Sequence, residues 1–154
     1  MKKLFLLLTL FTSLIAGESV KKVVFDLTTG DPAVFEKKVL SGIVRQKIYY
    51  EGKLQELKVA VVIHGDAYKF FVKNLQNTEY KDDKVLLEKH DEYMKRLTTL
   101  ADTYEVSIYM CDVGRNKHKL ATKDLYDFVE IIPNSTIGLI EQQNEGYAYV
   151  PIAH

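Results

Sequence analysis

Cys111 is the only cysteine in the sequence, so no disulfide can close within the chain and any thiol chemistry falls on one residue. A surplus of charge is missing too: 21 basic side chains balance 21 acidic ones, for a formal net charge of zero. Without excess Lys and Arg nothing offsets a phosphate backbone, which sets nucleic acid aside as a partner. The same neutrality leaves little colloidal repulsion between copies and is compatible with self-association. Several familiar signatures are absent. The loop at Thr28-Thr29-Gly30 has one glycine, so neither a dinucleotide fingerprint nor a phosphate-binding loop with its lysine is present. There is no Gly-x-Ser-x-Gly elbow and no His-Glu-x-x-His. Internal repeats, low-complexity tracts and interdomain linkers are lacking, and 154 residues suit one domain. With 47% apolar and 27% charged residues the composition is that of a globular protein.

A long enough apolar run to span a membrane is also missing. Leu4 to Ile15 is almost unbroken, yet it falls short of the roughly 20 residues a span needs. Lys2 and Lys3 precede it, and the small residues Ala16 and Gly17 follow. That order predicts a secretory signal peptide over residues 1–17. No cysteine sits at the cut, so a lipoprotein anchor is not indicated. Bulky Leu14, at one of the candidate −3 positions, keeps an uncleaved anchor or a buried helix open as alternatives. Export predicts a periplasmic location for the remaining domain, 22–152, with no membrane association after cleavage. A lone thiol in an oxidising compartment is buried, paired between chains, bound to a ligand or metal, or kept for chemistry.

Beyond the leader, short apolar runs alternate with amphipathic stretches. Lys22 to Leu27 reads as a first strand, followed by a turn with Asp31 as helix N-cap and Pro32 at the first helical position. Phe35, Val39, Leu40, Ile43, Val44 and Ile48 recur at helical spacing, which predicts one long helix closing near Glu51-Gly52. Leu57 to Ile63 is continuously apolar, as a strand covered on both faces must be. Helices are expected over Tyr68–Leu75, Val85–Leu100, Leu120–Leu125 and Ile137–Gln143, and strands over Val106–Met110, Phe128–Ile132 and Gly146–Val150. Strand and helix alternate with connections too long for hairpins. The expected class is therefore α/β, a mostly parallel sheet with helices on both faces, whose strand order the pattern leaves open.

In such sheets ligands bind at the carboxyl ends of strands. Three loops place polar or reactive residues there: Asp26 to Gly30, His64-Gly65-Asp66, and Cys111-Asp112-Val113-Gly114. Cys111 stands out. A thiol at a helix start meets unpaired backbone N–H groups that favour an anion, which lowers its pKa. Arg115, Lys117, His118 and Lys119 add positive charge nearby, while Asp112 acts the other way. The same position suits an inert buried thiol equally well. His64 offers a base or donor for a Cys–His pair. A histidine beside glycine at a strand end also serves simply to satisfy Asp66 or backbone groups, and the residues alone favour that reading. His64, Cys111 and His118 match no compact ligand motif, so no metal and no cofactor are expected. The run Arg115 to Lys119 reads as a solvated face. The ten tyrosines suit core and interface packing, with Tyr147 and Tyr149 as candidates for a subunit contact.

The apolar strand leading into His64-Gly65, the strand leading into Cys111, the amphipathic Val39–Tyr49 helix and the ending Gln142-Gln143-Asn144-Glu145-Gly146-Tyr147-Ala148-Tyr149-Val150-Pro151 together resemble the DsrE/DsrF-like family. The likeness runs from roughly Val23 to Pro151. It implies a three-layer α/β sandwich around a parallel sheet of about five strands. It also implies homo- or hetero-oligomers, often trimers or hexamers. In sulfur-relay members a cysteine in the loop after a central strand accepts and passes on a persulfide. Cys111 occupies the matching position, so the implied role is sulfur acceptor. His64 matches a common family position without an assigned catalytic role. The relay members are cytoplasmic and use partner subunits, whereas this chain carries an export-like leader. The expectation that follows is a periplasmic sulfur-binding or sulfur-transfer protein with Cys111 as persulfide carrier and a sulfur donor or acceptor protein as partner. The alternative is a non-enzymatic oligomeric module for a small molecule or metal, with Cys111 structural. Neither expectation assigns the chain to an enzyme class.

Overall fold

In β2 (Leu57–Ile63) every residue but Lys58 is buried, and that strand forms the middle of the sheet, as apolar character on both faces dictates. The computed structural model describes residues 20–153, so the leader peptide expected over 1–17 lies outside the described residues. β1 (Lys21–Leu27) lies parallel to β2 in the register Val23↔Val59 through Leu27↔Ile63. On the other side β3 (Ser107–Cys111) pairs with it from Ala60↔Ser107 to Ile63↔Met110. β4 (Val129–Ile132) and β5 (Ala148–Ile152) form the edges of a wholly parallel, five-stranded sheet in the order β4-β3-β2-β1-β5. The expected α/β class and all five expected strands are present.

Strand order explains how the layers are filled. Successive strands β1 to β4 step one way across the sheet, and β5 returns to the far side of β1. Right-handed crossovers then place the first three connections on one face and the last on the other. The first face buries Phe25, Val59, Val61 and Met110 under the larger core. Helix α5 (Ser135–Asn144) crosses the second face and touches all five strands there, over Val24, Ala60, Val62 and Ile132.

Asp31 caps the first helical turn as expected, its Oδ1 accepting from Ala33 N at 2.7 Å and Val34 N at 3.4 Å, with Pro32 next in line. The single helix expected to follow is instead divided. α1 (Pro32–Val34) passes into a wider, π-type turn over Phe35–Leu40, and α2 (Gly42–Glu51) follows. The Ser41 N–H bonds the Glu36 carbonyl five residues back at 2.9 Å. That extra residue lets Phe35, Val39, Leu40 and Ile43 all reach the core.

Between Tyr68 and Leu75 the expected helix is absent. One tight turn, Ala67–Phe71, gives way to extended Val72, which bridges to Leu125. The cause is packing. Tyr68, Phe70, Phe71 and Val72 are all buried, a span wider than one face of a helix can present. Leaving the helix lets Phe70 stack on Phe35 at 4.0 Å while Phe71 meets the same ring edge-on at 5.9 Å. Leu120–Leu125 likewise contains only a short turn, Thr122–Asp124. The expected long third helix is present as α3 (Lys84–Asp102), capped by Asp83 on Leu86 N at 3.0 Å and burying Leu86, Tyr93, Leu97 and Leu100. Among the described residues no helix is long and apolar enough to cross a membrane.

Candidate functional site

Because the strands are parallel and β1, β2 and β3 are neighbours, the three polar loops leave the sheet side by side on one rim. Asp26, His64 and Cys111 all stand there, as the sequence implies.

His64 does not pair with Cys111. Its Nε2 lies 2.6 Å from Asp26 Oδ1, while the Tyr149 hydroxyl donates to Asp26 Oδ2 at 2.7 Å. Three adjacent strands thus meet in one carboxylate: Asp26 from β1, Tyr149 from β5 and His64 just past β2. Gly65 completes the turn with φ of +66°, and a Cβ there would come 2.8 Å from the Thr28 carbonyl. Only glycine fits both the dihedral and the close approach. The partner of His64 is Asp26, not the Asp66 or backbone groups expected.

Cys111 is the last residue of β3 and stands in the N-cap position of α4 (Asp112–Lys117), with extended φ of −63° and ψ of 118°. It is 6% exposed. Its strand partner Ile132 is followed three residues later by Ser135, the first residue of α5, so the starts of two helices converge on the sulfur. As a neutral thiol the sulfur is a weak acceptor and makes no cap hydrogen bond. Ionisation changes the balance. Burial opposes the charge, but the Gly114 N–H, the Tyr68 hydroxyl and the Ser135 and Val113 N–H groups outweigh it and hold the thiol below its ordinary pKa.

The basic run contributes differently from the expectation. Arg115 donates to Asp112 Oδ1 at 2.7 Å, to the Leu120 carbonyl at 2.6 Å and to Asn116 Oδ1 at 2.9 Å. Its guanidinium therefore ties α4 to the chain that follows, and the Asp112 carboxylate is held by Arg115 and Asn116. His118 Nδ1 bonds Glu79 and lies 3.2 Å from the Tyr80 hydroxyl. These three residues help line a polar cleft of about 510 Å³ with Thr28, Gly30, Asp66 and Lys69, and Cys111 is not in its wall. With His64 committed to Asp26 and His118 to Glu79, the set His64, Cys111 and His118 does not assemble as ligands. Among the described residues no group of three or more His, Cys, Asp or Glu is placed to hold a metal ion.

Two participants escape a reading of the sequence. Tyr68 sits 43 residues before Cys111, and its hydroxyl donates to the Cys111 carbonyl at 3.0 Å. Ser135 enters through its backbone alone. Gly114, three residues after the cysteine, is the one local signal that something packs tightly against the start of α4.

An inner-strand thiol at the carboxyl edge of an all-parallel α/β sheet, held by helix-start amides, defines the class. The chain belongs to the DsrE/DsrF-like family, whose model matches residues 22–152. Over 152 residues it is 33% identical to an uncharacterized protein of Aquifex aeolicus (strain VF5), covering 98% of this chain and 64% of that one. This chain therefore spans less than two thirds of that relative's length. Its fold is similar to that of a solved structure, the protein of unknown function MTH1491 from Methanobacterium thermoautotrophicum. The TM-score is 0.57 at 19% identity, over 85% of this chain and 98% of that one, a likeness of fold alone.

Proposed function

We propose that this chain is an exported sulfur-binding or sulfur-transfer protein in which Cys111 carries a persulfide. Membership of the DsrE/DsrF-like family supports a sulfur-relay-like role. The observation that carries the reading is the place of the thiol, at the carboxyl end of an inner strand and in the N-cap position of α4, with the buried Tyr68 hydroxyl bonded to the same residue. Such a place favours a thiolate or persulfide anion.

The chemistry conserves electrons. The Cys111 thiolate attacks the outer sulfur of a persulfide or polysulfide donor, the donor's S–S bond breaks, and the donor leaves as a thiolate. The acceptor's thiolate then attacks the outer sulfur on Cys111, and Cys111 departs as a thiolate again. Both steps require the sulfur to be uncovered. Helix α4 is the element to move, because none of its six residues is buried. The leader Lys2–Gly17 supports export to the periplasm, and exposed Tyr149 and Val150 on the edge strand β5 suit contact with a second copy. In a test, glutathione persulfide adds the mass of one sulfur atom to wild type and none to Cys111→Ala. Equal addition to both proteins, or to neither, counts against the reading.

A second reading is favoured by one observation. Cys111 is buried, while the polar cleft nearby is open and excludes it. A small-molecule binding module with a structural cysteine accounts for that separation. It predicts that Cys111→Ser leaves assembly and ligand binding unchanged.

A further inference from the structure

We propose that Tyr68 is the positioning residue of Cys111, a buried hydroxyl that turns from the Cys111 carbonyl to the Cys111 sulfur when that sulfur carries negative charge. The inference rests on the sulfur-carrier reading of Cys111 and deepens it. Tyr68 is 1% exposed, and a phenol in the core needs a partner for its hydroxyl. The Cys111 carbonyl supplies one at 3.0 Å, which places the hydroxyl beside the residue that carries the sulfur. Helix α4 is built to admit that hydroxyl. A Cβ on Gly114 would lie 2.0 Å from the Tyr68 hydroxyl oxygen and 2.5 Å from its ring carbon Cζ, so any larger residue collides with both.

One proton cannot serve two acceptors at full strength, and a hydroxyl rotates towards the better one. The carbonyl is the better acceptor while the sulfur is a neutral thiol. An anionic sulfur is the better acceptor, because hydrogen bonds to charged groups are roughly twice as strong. Burial, then the contact with Cys111, pushes the phenol pKa well above its ordinary value, so the proton stays on the oxygen and Tyr68 remains a donor. The other titratable groups facing Tyr68 are Tyr80, Asp112 and His118. Asp112 is paired with Arg115, and His118, whose ring centre is 4.9 Å from that of Tyr68, is paired with Glu79. The Tyr68 hydroxyl thus prefers anionic sulfur, thiolate or persulfide, to the neutral thiol.

The experiment titrates the ultraviolet absorbance of the Cys111 thiolate, a readout independent of solvent access, in wild type, Tyr68→Phe and Tyr80→Phe, with Cys111→Ala as blank. Tyr68→Phe raises the midpoint by about one pH unit, a ten-fold loss of thiolate below it, and Tyr80→Phe leaves it in place. A midpoint unchanged in folded Tyr68→Phe overturns the inference whether or not Cys111 takes up sulfur. Failure of sulfur uptake alongside a shifted midpoint removes the carrier reading and leaves the Tyr68 contact standing. Should Tyr68→Phe not fold, a fluorinated tyrosine at position 68 keeps the shape and strengthens the donor. It lowers the midpoint if the contact is real, and no change overturns the inference.

Discussion

His64 Nε2 lies 2.6 Å from Asp26 Oδ1, a contact that commits the imidazole to β1. In the sheet the two residues that follow the last β2–β3 pair, Ile63↔Met110, are His64 and Cys111. Neighbouring position alone therefore does not make a catalytic pair. The Asp26 carboxylate holds the ring, and the Tyr149 hydroxyl at 2.7 Å holds that carboxylate from the other side.

It follows that His64→Ala leaves the Cys111 titration midpoint unchanged, in contrast with Tyr68→Phe. Asp26→Ala lowers stability instead, by about 1 kcal/mol, because it strips half-buried His64 and exposed Tyr149 of their shared acceptor. Urea denaturation of the two variants and thiolate absorbance read both effects. A midpoint that rises in His64→Ala contradicts the assignment.

Ionisation of Cys111 makes stability depend on pH with a definite sign. The folded thiol has a pKa below its ordinary value, so the native state binds the proton less tightly than the unfolded chain does. The stability difference between wild type and Cys111→Ala therefore grows as pH rises from the folded pKa towards the ordinary thiol value of about 8.5, and is constant above it. Falling pH removes this contribution as the folded thiolate is protonated. Denaturation midpoints of both proteins across that range show the trend; parallel curves contradict it.

The buried tyrosines give the opposite dependence at high pH. Burial raises the phenol pKa of Tyr68, Tyr93 and Tyr126, for Tyr126 to about 12. Their protonated forms stabilise the fold fully below the unfolded value near 10 and progressively less above it, by ~1.4 kcal/mol per pH unit for each tyrosine. Thermal unfolding followed by circular dichroism shows a melting temperature that falls steeply above that pH. Replacing Tyr126 by Phe flattens the fall.

Phe35 anchors the larger core, with Phe70 stacked on it at 4.0 Å, Tyr93 edge-on at 5.4 Å and no exposed surface. Phe35→Ala therefore costs about 3–5 kcal/mol, and Phe35→Leu markedly less. Denaturant midpoints with unchanged slopes test the claim.

The fold was legible where burial is two-sided or strictly periodic. The run Leu57–Ile63 and the periodic face of Lys84–Asp102 leave no other assignment, and Asp31-Pro32 marks a helix start by itself. Legibility failed between Tyr68 and Leu75. Helical spacing there competes with aromatic packing against Phe35, a contact no local pattern contains. The site divides in the same way. Cys111 and His64 were visible because strand ends gather on one rim, and their residue types are reactive. Tyr68, Ser135 and the Asp26 partner of His64 were not, since each contact joins segments far apart in the chain. The charge of Arg115 misled, because sequence proximity to Cys111 says nothing of its fork to Asp112 and Leu120.

The most direct test of the central claim is the intact mass of the protein recovered from its native host without reductant. The account predicts a chain trimmed near Ala16 or Gly17 that carries one extra sulfur, removed by reductant and absent from Cys111→Ala. An unmodified thiol that takes up no sulfur from a persulfide donor and resists alkylation until denaturation contradicts it.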